Sequence, residues 1–80
     1  MEIDIIAQRI RAGLPGAEVQ VSGDGEHFEA LVISEAFEGV SLLKRERLVM
    51  ETVKAEVASG ALHALSIKAR TPAQQQAALG

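Results

Sequence analysis

The sequence predicts an α+β domain in which helices cover one face of a three-stranded mixed sheet. Three observations predict it. Ile3, Ile6, Ala7, Ile10 and Leu14 recur at spacings of three and four, the signature of an amphipathic helix. Asp24-Gly25 lies between two runs rich in β-formers, Glu18–Ser22 and Phe28–Ile33, and these residues tolerate the positive φ angles of tight hairpins. A long helical pattern then separates the second strand from a third run, Ala61–Ala69. Strand, helix and strand in that order form a β-α-β unit, so the outer pair runs parallel with a right-handed crossover while the hairpin is antiparallel.

The first helix spans Glu2 to Leu14 and stops at Pro15-Gly16, because proline disfavours helical geometry in the residue before it. In Glu18-Val19-Gln20-Val21-Ser22 apolar and polar residues alternate strictly, as in a strand with one buried face. The segment Ser34–Gly39 breaks the second strand with a single helical turn. Ser41 is the N-cap of the long helix, and Ser59-Gly60 is its stop. Leu42, Leu43, Val49, Met50, Val53 and Val57 are read as its apolar face, with Lys44, Arg45, Glu46 and Arg47 turned away from it. In the third strand His63, Leu65 and Ile67 share one side. Thr71-Pro72-Ala73-Gln74 opens a last helix with a threonine cap, proline at the first position and a glutamine that completes a capping box. The tail from Gln75 to Gly80 lacks an apolar stripe and is expected to fray.

Composition bounds the chemistry. Residues 1–80 are read as one domain, since a chain of 80 residues has no material for a second core. With 48% hydrophobic and 24% charged residues it is globular in composition, although only Phe28 and Phe37 are aromatic. It has no cysteine, which removes disulfides, thiol nucleophiles and any thiolate-held metal site of its own. No apolar run approaches the ~18 residues that span a bilayer, and Met1-Glu2-Ile3-Asp4 is acidic where a secretory signal is basic. The expected location is the cytoplasm, with no membrane partner. A formal charge of −3 argues against broad nucleic-acid binding.

No enzyme motif is present. Gly23-Asp24-Gly25 lacks the third glycine and the strand-to-helix setting of a dinucleotide loop, and there is no Walker sequence or nucleophile elbow. Ser22, Asp24 and His27 crowd into one hairpin, where a catalytic triad needs separate rigid supports. The only imidazoles are His27, leaving the hairpin, and His63, opening the third strand. A histidine in so apolar a strand is either half-buried and hydrogen-bonded to backbone, or a functional group. The turn Lys44-Arg45-Glu46-Arg47 reads as a solvated helix face or as a modest patch for a partner or for phosphates.

Five blocks together resemble the BolA family. They are Gly23-Asp24-Gly25-Glu26-His27-Phe28, Val32–Gly39, Leu43-Lys44-Arg45-Glu46-Arg47-Leu48-Val49, Ala61–Ile67 and Ala69-Arg70-Thr71-Pro72-Ala73-Gln74. The chain looks most like the IbaG (YrbA) type, with Thr-Pro-Ala near the C-terminus. The resemblance implies a class II KH-like fold, α-β-β-α-α-β-α, with the turn after the second strand counted as the extra element. It implies a non-enzymatic partner of a monothiol glutaredoxin that shares a [2Fe–2S] cluster in iron homeostasis, cluster trafficking or stress response. No cofactor is expected on the isolated chain.

By that resemblance His63 matches the family's C-terminal ligand, and His27 corresponds to a histidine or cysteine ligand in the loop between the first two strands. A chain without thiols then joins a cluster through imidazole, as Rieske centres do on one iron. The alternative the family implies is a transcriptional regulator that binds DNA through Lys44, Arg45, Arg47, Lys68 and Arg70. Two departures bear on these expectations. Glu46 stands where many relatives carry histidine between two arginines, which puts a negative charge inside the only basic turn. Gln75 stands where an aromatic residue usually follows Thr-Pro-Ala, so the last helix is expected to dock less firmly.

Overall fold

The computed structural model describes residues 1–80, and the chain runs α1 (Ile3–Gly13), β1 (Glu18–Gly23), β2 (His27–Ile33), a 3-10 turn (Glu35–Phe37), α2 (Leu42–Thr52), α3 (Lys54–Ser59), β3 (Ala64–Arg70) and α4 (Pro72–Leu79). The sheet order is β1-β2-β3, with β1 antiparallel and β3 parallel to β2. The mixed sheet is as predicted, and so is the α-β-β-α-α-β-α order, except that the consecutive helices are α2 and α3, with the turn after β2 as a further 3-10 element. No helix is long and apolar enough to cross a membrane.

Register decides which side chains meet the helices. Val19 pairs with Val32, Val21 with Ala30, Phe28 with Leu65, Ala30 with Ile67 and Val32 with Ala69. Strand alternation puts all of these on one face. Ile6, Ala7 and Ile10 of α1 pack onto it, with Val49, Val53, Leu62 and Phe37, into one buried cluster. The opposite face carries Gln20, Ser22, His27, Glu29, Leu31, Ser66 and Lys68, and most of these are exposed.

Three expectations are corrected. The long helix breaks at Val53, which adopts φ −117° and ψ 17°. The cause is local: Thr52 turns its hydroxyl back to donate to the Val49 carbonyl at 2.6 Å, a bond that bends helices, and the break drops Val53 fully into the core. At this point α1 also approaches closely, since a Cβ on Gly13 would lie 2.5 Å from Thr52 Cγ2. Secondly, the buried face of α2 is Arg45 and Val49, whereas Leu42 and Leu43 are 68% and 57% exposed. Arg45, expected on the surface, is 6% exposed. Its Nε donates to the Val40 carbonyl at 2.8 Å, and one terminal nitrogen donates to the Ala69 carbonyl at 3.2 Å and to Gln74 Oε1 at 2.7 Å. The guanidinium also lies 5.8 Å from the centre of the Phe37 ring. A hydropathy pattern counts arginine as polar, and three oxygen acceptors plus an aromatic face are what override that count.

Thirdly, the tail does not fray at Gln75. The capping box is present as read, with Gln74 N–H donating to the Thr71 hydroxyl at 3.1 Å and Thr71 N–H to Gln74 Oε1 at 2.9 Å, and the helix continues to Leu79. The Arg70 guanidinium donates to Gln75 Oε1 at 2.8 Å and ties the second turn to β3. No α4 residue is buried.

Candidate functional site

His27 is the first residue of β2 and is in register with Ala64, the first residue of β3. His63 directly precedes Ala64, so both imidazoles leave the same end of neighbouring strands, which lie about 5 Å apart. Both residues are exposed. His63 stands outside the strand it was expected to open, and it is not half-buried. Leu62 is responsible: it is 1% exposed, and its N–H donates to the Glu56 carbonyl at 3.0 Å, so the chain enters the sheet only after His63. Gly60, at φ 82°, caps α3 in the left-handed region that favours glycine, and the Ser59 hydroxyl accepts from Ala61 N–H at 3.3 Å. His63 thus sits on a short turn anchored at Leu62.

The mount of His27 is different. Asp24 Oδ1 accepts from the amides of Glu26 at 2.9 Å and His27 at 2.8 Å, and Asp24 N–H donates to the His27 carbonyl at 3.2 Å. Gly25, at φ 100°, makes the reversal. The second carboxylate oxygen, Oδ2, is 3.8 Å from His27 Nδ1. Ser22, Asp24, His27, Glu29 and Ser66 line a shallow depression of about 280 Å³ on the helix-free face of the sheet. His63 is not among its lining residues.

The hydrogen bond from the His27 amide, followed by that from Glu26, lowers the Asp24 carboxyl below its ordinary value of 3.8. A carboxyl depressed in the folded state stabilises the fold above its unfolded value and loses that effect as pH falls through the folded one. Acidification below about pH 4 is therefore expected to loosen this hairpin first. Amide exchange at Glu26 and His27, compared with the interior of β2, checks this; equal protection at both pH values would contradict it.

The five basic residues do not form one surface. Arg45 is buried. Lys68 pairs with Glu29 at 3.1 Å on the helix-free face, and Arg70 is engaged by Gln75. Lys44 and Arg47 remain on the outer side of α2, where they line a depression of about 510 Å³ with Leu43, Leu48 and Glu51. Sequence reasoning missed Asp24 as a support for His27. The available signal was an aspartate at a turn with histidine three residues later, since such side chains bond backbone amides two or three positions on.

The fold is a small α+β domain with a pair of exposed imidazoles and no cluster of three or more His, Cys, Asp or Glu side chains able to hold a metal ion. Comparison with known proteins makes that class specific. The family model for BolA-like proteins matches residues 4–74. The Escherichia coli acid stress protein IbaG is 39% identical over 74 residues, covering 92% of this chain and 88% of that one. The structure of a BolA protein homologue from Coxiella burnetii superposes with a TM-score of 0.85 at 39% identity, covering 95% of this chain and 97% of the other. The BolA domain of SufE1 from Arabidopsis thaliana matches with a TM-score of 0.78 at 37% identity, covering 89% and 92% of the two chains. The chain belongs to the BolA-like family.

Proposed function

We propose that this chain is a non-enzymatic cytoplasmic partner of a monothiol glutaredoxin that completes a shared [2Fe–2S] cluster through His63 and His27, in iron homeostasis, cluster trafficking or stress response. The observation that carries the reading is the β2–β3 register, which puts two exposed imidazoles at one end of adjacent strands. The donor set fits the group: imidazole is a suitable iron ligand, and two imidazoles can replace two thiolates on one iron. The chain offers no third ligand beside them, so the remaining coordination has to come from a partner. The similarity to the E. coli acid stress protein IbaG supports the stress context.

When bound, such a cluster supplies a one-electron redox couple. The work left to this chain is to present and orient nitrogen donors. His63 does so from a turn anchored by the buried Leu62, and His27 does so from a hairpin held by Asp24. The two line no common depression, and the partner would bring them to one iron. The reading as a DNA-binding regulator loses support from the dispersal of its basic residues, since Arg45 is buried, Lys44 and Arg47 line one depression with Glu51, and Lys68 and Arg70 line another with Glu46.

Co-expression with a monothiol glutaredoxin is expected to yield a coloured heterodimer, and His63→Ala is expected to remove most of its visible absorbance and circular dichroism while the colourless heterodimer still forms. A spectrum indifferent to that substitution would sink the proposal.

A further inference from the structure

We infer that Asp24 is a positioning residue for His27: its carboxylate faces Nδ1, favours the hydrogen on that nitrogen and leaves Nε2 as the nitrogen free to ligate. The inference deepens the reading of His27 as a ligand and rests on it for its purpose, although its structural content holds for the isolated chain. It starts from the division of labour between the two carboxylate oxygens. Oδ1 is occupied by the Glu26 and His27 amides, which fixes the carboxylate relative to the backbone that carries the ring. Oδ2 then faces His27 Nδ1 at 3.8 Å.

That separation is longer than a hydrogen bond, which for N–H to O is about 2.7–3.2 Å. The pair is also largely exposed, with side-chain exposures of 76% for His27 and 70% for Asp24, so a small rotation of the imidazole closes the gap without opposition from packing. Exposure limits the energy of the contact and does not change its sign. An ionised carboxylate has only acceptors, so it favours hydrogen on the nitrogen that faces it. The tautomer of a histidine is set by the partner of its other nitrogen, and a ligating histidine commonly donates that N–H to a carboxylate. The groups facing the ring are few: Glu29 lines the same depression, but it is engaged by Lys68, and Ser22 and Ser66 are neutral. Asp24 is the carboxylate held on the ring's Nδ1 side. His63 has no such carboxylate within ion-pair distance, which makes it an internal reference.

The substitution that isolates the effect is Asp24→Asn. An asparagine keeps the oxygen that accepts the Glu26 and His27 amides, so the turn is retained, while the group facing Nδ1 changes from an acceptor to a donor. In the metal-free chain, at a pH where imidazoles are neutral, long-range ¹⁵N–¹H correlation spectra report the ratio of the two tautomers at each histidine. The expected result is an Nδ1–H to Nε2–H ratio at His27 several-fold higher than at His63, falling to or below the His63 value in Asp24→Asn. Equal ratios at His27 and His63 in the unsubstituted protein would overturn the inference, with no variant needed. So would an unchanged His27 ratio in Asp24→Asn when the Glu26 and His27 amide shifts show the turn intact.

Retention of the visible spectrum by the glutaredoxin heterodimer separates this from the functional reading. Asp24→Asn is expected to shorten the half-life of the colour about tenfold or more, as loss of such supporting carboxylates does for metal sites. If His27→Ala bleaches the complex and Asp24→Asn leaves its half-life unchanged, the inference fails and the ligand reading stands. If His27→Ala leaves the colour untouched, the ligand role of His27 fails, and the tautomer ratio alone then judges Asp24.

Discussion

Arg45→Ala is expected to destabilise the domain by about 2–4 kcal/mol, although the same substitution on a solvated helix face costs within about 0.5 kcal/mol. The guanidinium joins three parts of the chain that no other side chain connects: the Val40 carbonyl ahead of α2, the Ala69 carbonyl in β3 and Gln74 in α4. Removing it takes a donor from the buried Ala69 carbonyl and the partly buried Val40 carbonyl, while Gln74 Oε1 keeps its bond from Thr71 N–H, and a buried acceptor left without a partner costs about 1–3 kcal/mol. For a domain of 80 residues the whole stability is about 4–12 kcal/mol, so the loss is a large share of it. The corresponding fall in Tm is about 10–25 °C at this size. Arg45→Lys is expected to recover little, because a single ammonium cannot reach three acceptors that a planar fork spans. Denaturant melts of the three proteins check this, and a change below about 0.5 kcal/mol for Arg45→Ala would return the residue to the surface.

Arg45 also marks where the sequence stopped being legible. The order of elements, the hairpin, the parallel crossover and the capping box at Thr71 rest on local rules of spacing, turn chemistry and capping, and the structure follows them. The rotation of α2 is not a local property. Its pattern of leucines favours burying Leu42 and Leu43, but Phe37 and the carbonyls of Val40 and Ala69 create a niche that only a long donor fills, and the helix turns to suit it. In the same way the break at Val53 depends on Thr52 meeting its own backbone while α1 crosses at Gly13. At the candidate site the two histidines were legible as residues. Their placement was not, because it depends on the register between strands that are far apart in sequence. Asp24 was visible as a turn residue, and its second oxygen became meaningful only once the hairpin closed.

The larger loss is expected from Phe37→Ala. Phe37 is fully buried, one of two aromatic side chains in the protein, and it sits in a 3-10 turn of three residues that has no helical length of its own to hold it. What fixes the turn is its ends: the Ser34 hydroxyl accepts from Ala36 N–H at 3.1 Å, Val40 N–H donates to the Phe37 carbonyl at 3.1 Å, and the ring fills the space between the sheet and α2. Truncation of a buried phenylalanine costs about 3–5 kcal/mol, part from lost transfer energy and part from the cavity. Here the cavity opens directly beneath the Arg45 guanidinium and removes its aromatic face, so the two substitutions are not independent. The double variant is therefore expected to be less destabilised than the sum of the single ones by about 0.5–3 kcal/mol, the range for side chains in direct contact. Chemical denaturation of the two single variants and the double one measures that coupling, with Phe37→Leu as a background that keeps the fold populated if Phe37→Ala does not. Strict additivity would mean that Arg45 is held by its oxygen acceptors alone and that the ring beneath it contributes only volume.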